Sequence, residues 1–174
     1  MTQQDTATTV SSKKDTQVKG PTPCLTFNDR AEEAINFYVS VFGNSRVLSV
    51  VRSDGKGPIP PGKLLHATFQ LDGREFTAFD GGPHFSFTDG ISLVVTCETQ
   101  EEIDEMWARL SEGGEEGPCG WLKDRFGVSW QVVPAALGEM MGNPASGNSG
   151  KVMEALLKMH KIDIATLGRA YRSD

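Results

Sequence analysis

The sequence predicts an α+β fold: paired βαβββ modules that form a curved mixed sheet around a cleft, followed by C-terminal helices. Two amphipathic helical segments each follow a short strand, and segments of alternating polarity follow each helix. The residues that are expected to start and end the helix of the first module have counterparts of the same role 70 positions later. A repeat at a fixed offset indicates a duplicated unit. The recurring pairs are Asp29 with Thr99, Glu32 with Glu102, and Gly43 with Gly113.

Composition limits the function classes. A chain of 174 residues with 38% hydrophobic residues can form one domain with a real core. A net charge of −6 argues against a nucleic-acid or anionic-membrane partner. No apolar run approaches the roughly 20 residues of a membrane span, and no secretory signal is visible. Cys24, Cys97 and Cys119 form no C-x-x-C pair, so we expect a reduced, cytoplasmic protein.

Three segments follow from local composition. Residues 1–20 have almost no large apolar side chains, which predicts a flexible tail. Residues 21–136 hold the two modules, and residues 137–174 are predicted to form a helical arm. The arm contains a Gly-rich hinge at 142–150 and two helices too short to be stable alone. We expect the arm to dock on its parent domain or on a second subunit of a homodimer; a partner-binding appendage is the alternative.

In the first module, a strand at 23–27 precedes a helix that Asp29 and Glu32 would open as a capping box and Gly43 would end. Strands follow at 45–52, 64–71 and 74–80, with a hairpin turn at Asp72-Gly73. The strand at 64–71 has an apolar face of Leu65, Ala67, Phe69 and Leu71 and a polar face of His66, Thr68 and Gln70. This polar face lies either in bulk water or in an enclosed pocket, and His66 could simply be a hydrogen-bonded sheet histidine.

The second module begins with a strand at 92–97 and a helix capped by Thr99 and Glu102. Its key feature is a hairpin with strands at 120–123 and 128–133 around the turn at 124–127. Alternation places Val128, Trp130 and Val132 on one face and Ser129, Gln131 and Val133 on the other.

The hairpin supplies candidate ligand contacts. Trp121, Phe126 and Trp130 offer apolar or stacking surface, and Lys123 and Arg125 could hold a carboxylate or phosphonate. The alternative places Trp130 in the core and both cations in solvent. The cleft candidates are therefore His66, Thr68, Gln70, Trp121, Lys123, Phe126, Ser129 and Gln131.

Two runs carry a family resemblance: AEEAINFYVSVFGNSR at 31–46 and GPCGWLKDRFGVSWQVVP at 117–134. The chain resembles the vicinal oxygen chelate superfamily, which includes glyoxalase I, extradiol dioxygenases and bleomycin-resistance proteins. The closer resemblance is to its PhnB-like branch, often labelled 3-demethylubiquinone-9 3-methyltransferase. The resemblance implies the duplicated fold and a homodimer, and it implies a reaction only weakly.

Metal-using members of this superfamily place His or Glu ligands on the first and last strands of each module. The matching positions here are Thr22 or Cys24, Thr77 or Ala78, Ile91 or Ser92, and Gln131. None is an imidazole or a carboxylate, the donors that divalent ions usually take. We therefore predict no glyoxalase-type metal and no other cofactor.

The methyltransferase label also lacks support from motifs. A methyl donor usually binds a Gly-rich loop that follows a strand and opens a helix, and Gly81-Gly82-Pro83 leads into no helix. A reactive cysteine needs a nearby base or positive charge, and Lys123 and Arg125 are close to Cys119 in sequence only, so we expect a buried, inert thiol. The function that the sequence predicts is binding of a small molecule, an anion among the candidates, with no catalytic residue assigned. An enzyme of the superfamily or of the labelled methyl-transfer class is the alternative.

Overall fold

The first module places its four strands in the sheet order β1-β4-β3-β2. The computed structural model describes residues 20–142 and 148–173, so residues 1–19 of the predicted tail and the centre of the predicted hinge lie outside the described residues. Strands β1 and β4 are parallel, whereas the other pairs are antiparallel. The elements are β1 (Cys24–Phe27), α1 (Ala31–Val41), β2 (Arg46–Arg52), β3 (Leu64–Leu71) and β4 (Arg74–Asp80).

The second module repeats this arrangement in the order β5-β8-β7-β6, again with the first and last strands parallel. The shared order confirms the predicted α+β fold of paired βαβββ modules. Among the described residues no strand pairs across the modules, so the strands form two open four-stranded sheets. The elements are β5 (Leu93–Cys97), α2 (Gln100–Ser111), β6 (Glu115–Glu116), β7 (Trp121–Lys123) and β8 (Ser129–Pro134).

One buried core joins the two modules. Tyr38 of α1 is fully buried, and its ring lies 5.5 Å from Trp130 and 5.9 Å from Phe126 of the second module. Phe42 stacks on Trp130 at 5.4 Å between ring centroids. Trp107 is buried on α2. The core therefore takes one face of each sheet and leaves the opposite faces for other contacts.

The C-terminal helices α3 (Ala136–Gly142), α4 (Ser149–Leu156) and α5 (Ile164–Arg172) follow the second module. The backbone N–H of Cys119 donates to the Met159 carbonyl, and that of Gly120 donates to the His160 carbonyl, each with an N–O distance of 2.7 Å. The arm therefore docks on the second module of its own chain, one of the two arrangements left open by the sequence. Its apolar underside consists of Val152, Leu156, Ile162 and Leu167.

Gly120 lies at the closest contact between arm and module. Its φ is +83°, and a Cβ there would lie 2.6 Å from the Val132 carbonyl oxygen and 2.9 Å from Ile162 Cδ1. Only glycine fits this backbone conformation and this space.

The predicted capping box at the start of α1 is wrong. The N-cap residue is Arg30, with no side-chain cap bond, and Asp29, at a φ of +64°, pairs with Lys63 at 2.9 Å. The cap comes instead from Asp80 at the end of β4, whose Oδ1 accepts from the Ala31 N–H at 2.8 Å. The predicted box at α2 is confirmed, with both Thr99 and Glu102 contacts present.

Smaller details also differ from, or add to, the sequence-based expectations. Leu64 is buried in β3, and Leu65 is 36% exposed, because the pairing with β2 shifts register between Val51 and Arg52. Helix α1 ends at Val41 with Phe42 as its C-cap, so Gly43 is the first residue beyond the cap, as predicted, and Phe42 lies outside the helix. The short strand β6 was not located from the sequence.

Candidate functional site

The open face of the second sheet carries the hairpin candidates. Trp121 pairs with Gln131, and Lys123 pairs with Ser129, across the β7–β8 ladder. Side chains at paired positions share a face of the sheet. The residues between them, Leu122 and Trp130, are buried in the core on the other face. The predicted alternation of the hairpin is therefore observed.

A carboxylate from outside the hairpin reaches this face. Asp89 lies in the connector, residues 81–90, which joins the two modules. Its Oδ1 accepts a hydrogen bond from Ser129 Oγ at 3.1 Å and lies 3.1 Å from Lys123 Nζ. Hydrogen bonds from Lys123, and then from Ser129, hold the pKa of Asp89 below its usual range. The carboxylate is therefore stabilised in its ionised form.

An open cavity of about 450 Å³, here named the site cavity, lies beside this contact. It brings together Trp121, Lys123 and Ser129 of the predicted candidates. A neighbouring cavity of about 340 Å³ shares Lys123 and includes Phe126. The site cavity is lined by Asp89, Glu115, Glu116, Gly117, Pro118, Trp121, Leu122, Lys123 and Ser129.

The other candidates lie elsewhere. Gln131 donates from Nε2 to Ser92 Oγ at 2.8 Å on the same sheet. His66, Thr68 and Gln70 lie on β3 of the first sheet, and none of them lines either of the two cavities. Gln70 donates to the Asn44 carbonyl at 3.2 Å. The eight candidates are therefore divided between β3 of the first sheet and the β7–β8 hairpin of the second, with Phe126 in the hairpin turn.

The positions that the superfamily uses for metal come together in pairs. Cys24 is opposite Thr77 in the β1–β4 ladder, and Gln131 contacts Ser92. Two hydroxyls and an amide are poor donors for a divalent ion, and the single thiol is the one side chain among these four of a type that such ions favour. Within residues 20–142 and 148–173, no group of three or more His, Cys, Asp or Glu side chains could hold a metal. These side chains do not fit a glyoxalase-type ion.

Asp124, which is only 3% exposed, was not predicted as a functional residue from the sequence. Its Oδ2 accepts from Tyr38 Oη at 2.7 Å and from Trp130 Nε1 at 2.8 Å. Its Oδ1 accepts from the backbone N–H groups of Phe126 and Val128 at 2.8 and 3.0 Å. The local signal was an Asp at the start of a turn, where its side chain can bond nearby N–H groups. No local signal points to Tyr38.

This network fixes the hairpin on α1. Burial, and then the negative charge of Asp124, raise the pKa of Tyr38 far above its usual range, so its hydroxyl remains a donor. The Arg125 guanidinium lies 4.1 Å from the centroid of the Phe37 ring and 5.4 Å from that of Phe126. Arg125 is therefore engaged with aromatic rings and does not line the site cavity.

Fold and motifs together define a class. Duplicated βαβββ modules with open sheet faces characterise the glyoxalase-type fold of the vicinal oxygen chelate superfamily. Residues 19–133 match the model of the 3-demethylubiquinone-9 3-methyltransferase family, and the chain belongs to that family. The match ends within β8, so the C-terminal arm lies beyond it.

Solved structures agree with this assignment. A PhnB protein from Bacillus cereus is 42% identical, with a TM-score of 0.62, and the match covers 67% of this chain and 100% of that one. A Pseudomonas aeruginosa protein is 24% identical over 67% of this chain and 98% of its own, with a TM-score of 0.56. The fosfomycin resistance protein FosX from Listeria monocytogenes is 16% identical over 72% and 98%, with a TM-score of 0.55. The last two show the fold alone.

No curated protein matches the chain. Over the part of the chain that the structure describes, no helix has both the length and the apolar character needed to cross a membrane.

Proposed function

We propose that this chain binds a small molecule with an apolar or aromatic body in the site cavity, without a glyoxalase-type metal. The observation that carries the proposal is the convergence of Trp121, Lys123 and Ser129 on one cavity. Its volume of about 450 Å³ falls within the roughly 300–1,000 Å³ typical of small-molecule sites. Trp121 supplies a flat apolar wall, and Lys123 and Ser129 supply hydrogen-bond donors.

The charges on the cavity wall limit the ligand. Lys123 carries the one positive charge among the lining residues, and Asp89 already pairs with it. Glu116 accepts from Trp107 Nε1 at 2.9 Å, so this carboxylate is engaged with helix α2. An anionic group on the ligand would therefore compete with Asp89 for Lys123.

The family name specifies methyl transfer, but the geometry of this chain favours binding without an assigned reaction. Methyl donors usually bind at an open parallel sheet, at a Gly-rich turn that opens a helix. Among the described strands, only the pairs β1–β4 and β5–β8 are parallel, and the other pairs are antiparallel. The connector that follows β4 leads into strand β5 and not into a helix. A thermal-shift measurement with S-adenosylmethionine tests the name directly, since a saturable shift would support it.

We also propose that the chain forms a homodimer through its first sheet. Strand β2 lies at the edge of that sheet and exposes Val47, Leu48, Val50 and Val51 by 38–52%. An exposed apolar edge strand usually needs a cover. Analytical ultracentrifugation should show a dimer that Val51→Lys weakens. A monomer at all concentrations of the unmodified chain would refute this proposal.

Binding can be tested by ligand-observed NMR with a library of small aromatic compounds. Compounds that bind the unmodified chain should lose affinity for Trp121→Ala and keep it for Gln70→Ala, which changes the open face of the other sheet. If the compounds bind Trp121→Ala equally well, the site is elsewhere. If they lose affinity for both variants, both sheets contribute to it.

A further inference from the structure

We propose that Asp89 occupies the position of a ligand carboxylate, and that small organic carboxylates bind the site cavity by displacing it from Lys123 and Ser129. The connector would then act as an internal competitor for the site. This inference rests on the proposed function and adds the chemical class of the ligand.

The acceptor position is already defined by the fold. One oxygen, Asp89 Oδ1, meets both the Ser129 hydroxyl and the Lys123 ammonium at 3.1 Å. Ser129 is 2% exposed, and its strand pairing fixes it directly opposite Lys123. A buried hydroxyl beside an ammonium is a pair of donors suited to a carboxylate. The geometry thus describes a carboxylate site whose occupant comes from the chain itself.

That occupant is held weakly. The side chains of Asp89 and Lys123 are 67% and 40% exposed, and exposed ion pairs contribute little. Phe87 anchors the connector, with its ring 5.1 Å from that of Phe27. Beyond Phe87, in the described chain, no backbone hydrogen bond ties residues 88–90 to the rest of the fold. Asp89 can therefore leave without disturbing a strand or a helix.

Charge balance favours replacement of Asp89 by a ligand carboxylate over binding of an additional anion beside Asp89. Glu115 lies opposite Lys123 in the β6–β7 ladder, so one lysine already has two carboxylates near it. A third anion would be repelled, whereas replacement of Asp89 by a ligand carboxylate keeps the local charge constant. The ligand adds contact between its apolar body and Trp121, which Asp89 cannot provide. This contact is the net gain of the exchange.

The test uses two probes of nearly the same shape, phenylacetate and phenylacetamide, titrated by calorimetry into the full chain. Asp89→Asn should bind phenylacetate about two- to fivefold more tightly than the unmodified chain, because an exposed competing ion pair is removed. Its affinity for phenylacetamide should be unchanged. Lys123→Gln should weaken phenylacetate about tenfold, the scale of a lost charge-assisted hydrogen bond.

A matched control removes the same charge elsewhere. Asp54 pairs with Lys56 at 3.2 Å in the loop between β2 and β3, so Asp54→Asn should bind both probes like the unmodified chain. A second measurement follows the connector itself. Phenylacetate should shift the backbone amide NMR signals of residues 88–90, and phenylacetamide should not.

Four outcomes would overturn the inference. If Asp89→Asn binds phenylacetate no more tightly than the unmodified chain, Asp89 is no competitor. If its affinity for the amide rises equally, the gain has another origin than the carboxylate. If only phenylacetamide binds, in every variant, the proposed function stands and this inference falls. If neither probe binds any variant, both fall.

Discussion

Replacing Asp124 with alanine should destabilise the fold more than a typical surface change. The carboxylate accepts four hydrogen bonds, from Tyr38, Trp130 and two backbone N–H groups. Alanine would leave all four donors without this partner in a buried site. An unsatisfied buried donor costs about 1–3 kcal/mol, and several of the four donors would lack another partner in this buried position. We expect a loss of about 4 kcal/mol.

Such a loss is large beside the roughly 5–15 kcal/mol that stabilises a typical domain. Urea denaturation followed by circular dichroism and tryptophan fluorescence measures it directly. Tyr38→Phe removes one donor and should cost about 1–2 kcal/mol. The double variant then gives the coupling energy between the two side chains. If the free energy of unfolding of Asp124→Ala lies within about 1 kcal/mol of that of the unmodified chain, the network does not hold the hairpin on α1.

Two further predictions concern the site face and the arm. Lys123 and Ser129 lower the pKa of Asp89 in the folded chain. The contribution of ionised Asp89 to stability is therefore fully present above the pKa that Asp89 has in the unfolded chain. It is lost as the pH falls through the lower pKa of the folded chain. The melting temperatures of the unmodified chain and Asp89→Asn should therefore differ at neutral pH and converge in acid; a constant difference would refute this. Gly120→Ala should cost more than about 1 kcal/mol, because its backbone and the Val132 carbonyl leave no space for a Cβ. Proteolysis should cut the arm of that variant sooner, and an unchanged rate would contradict the packing.

Local signals predicted most of the elements. The capping box at Thr99 and Glu102 was visible because all its atoms come from one turn of chain. The cap of α1 was not, since Asp80 reaches Ala31 from 49 residues away. The bulge that buries Leu64 also depends on the register with β2. Sequence patterns thus predicted which segments are helices and strands, and they failed where a distant residue supplies the contact.

The same limit applies to the site. Alternation predicted that Trp121, Lys123 and Ser129 share a face, because a strand's period is a local property. The position of Asp89 depends on the path of the connector, and the burial of Asp124 depends on how α1 packs against the hairpin. Neither follows from spacing. The face of His66, Thr68 and Gln70 was also predicted, but its distance from the hairpin was not.

The docked arm has a consequence for shortened versions of this chain. The Bacillus cereus relative matches only 67% of it, which invites a cut after β8 to reach the length of that relative. Such a cut would strip Cys119 and Gly120 of their carbonyl partners and uncover Val133 at the very strands that carry Trp121 and Ser129. Binding data from a trimmed chain would therefore report on an altered site.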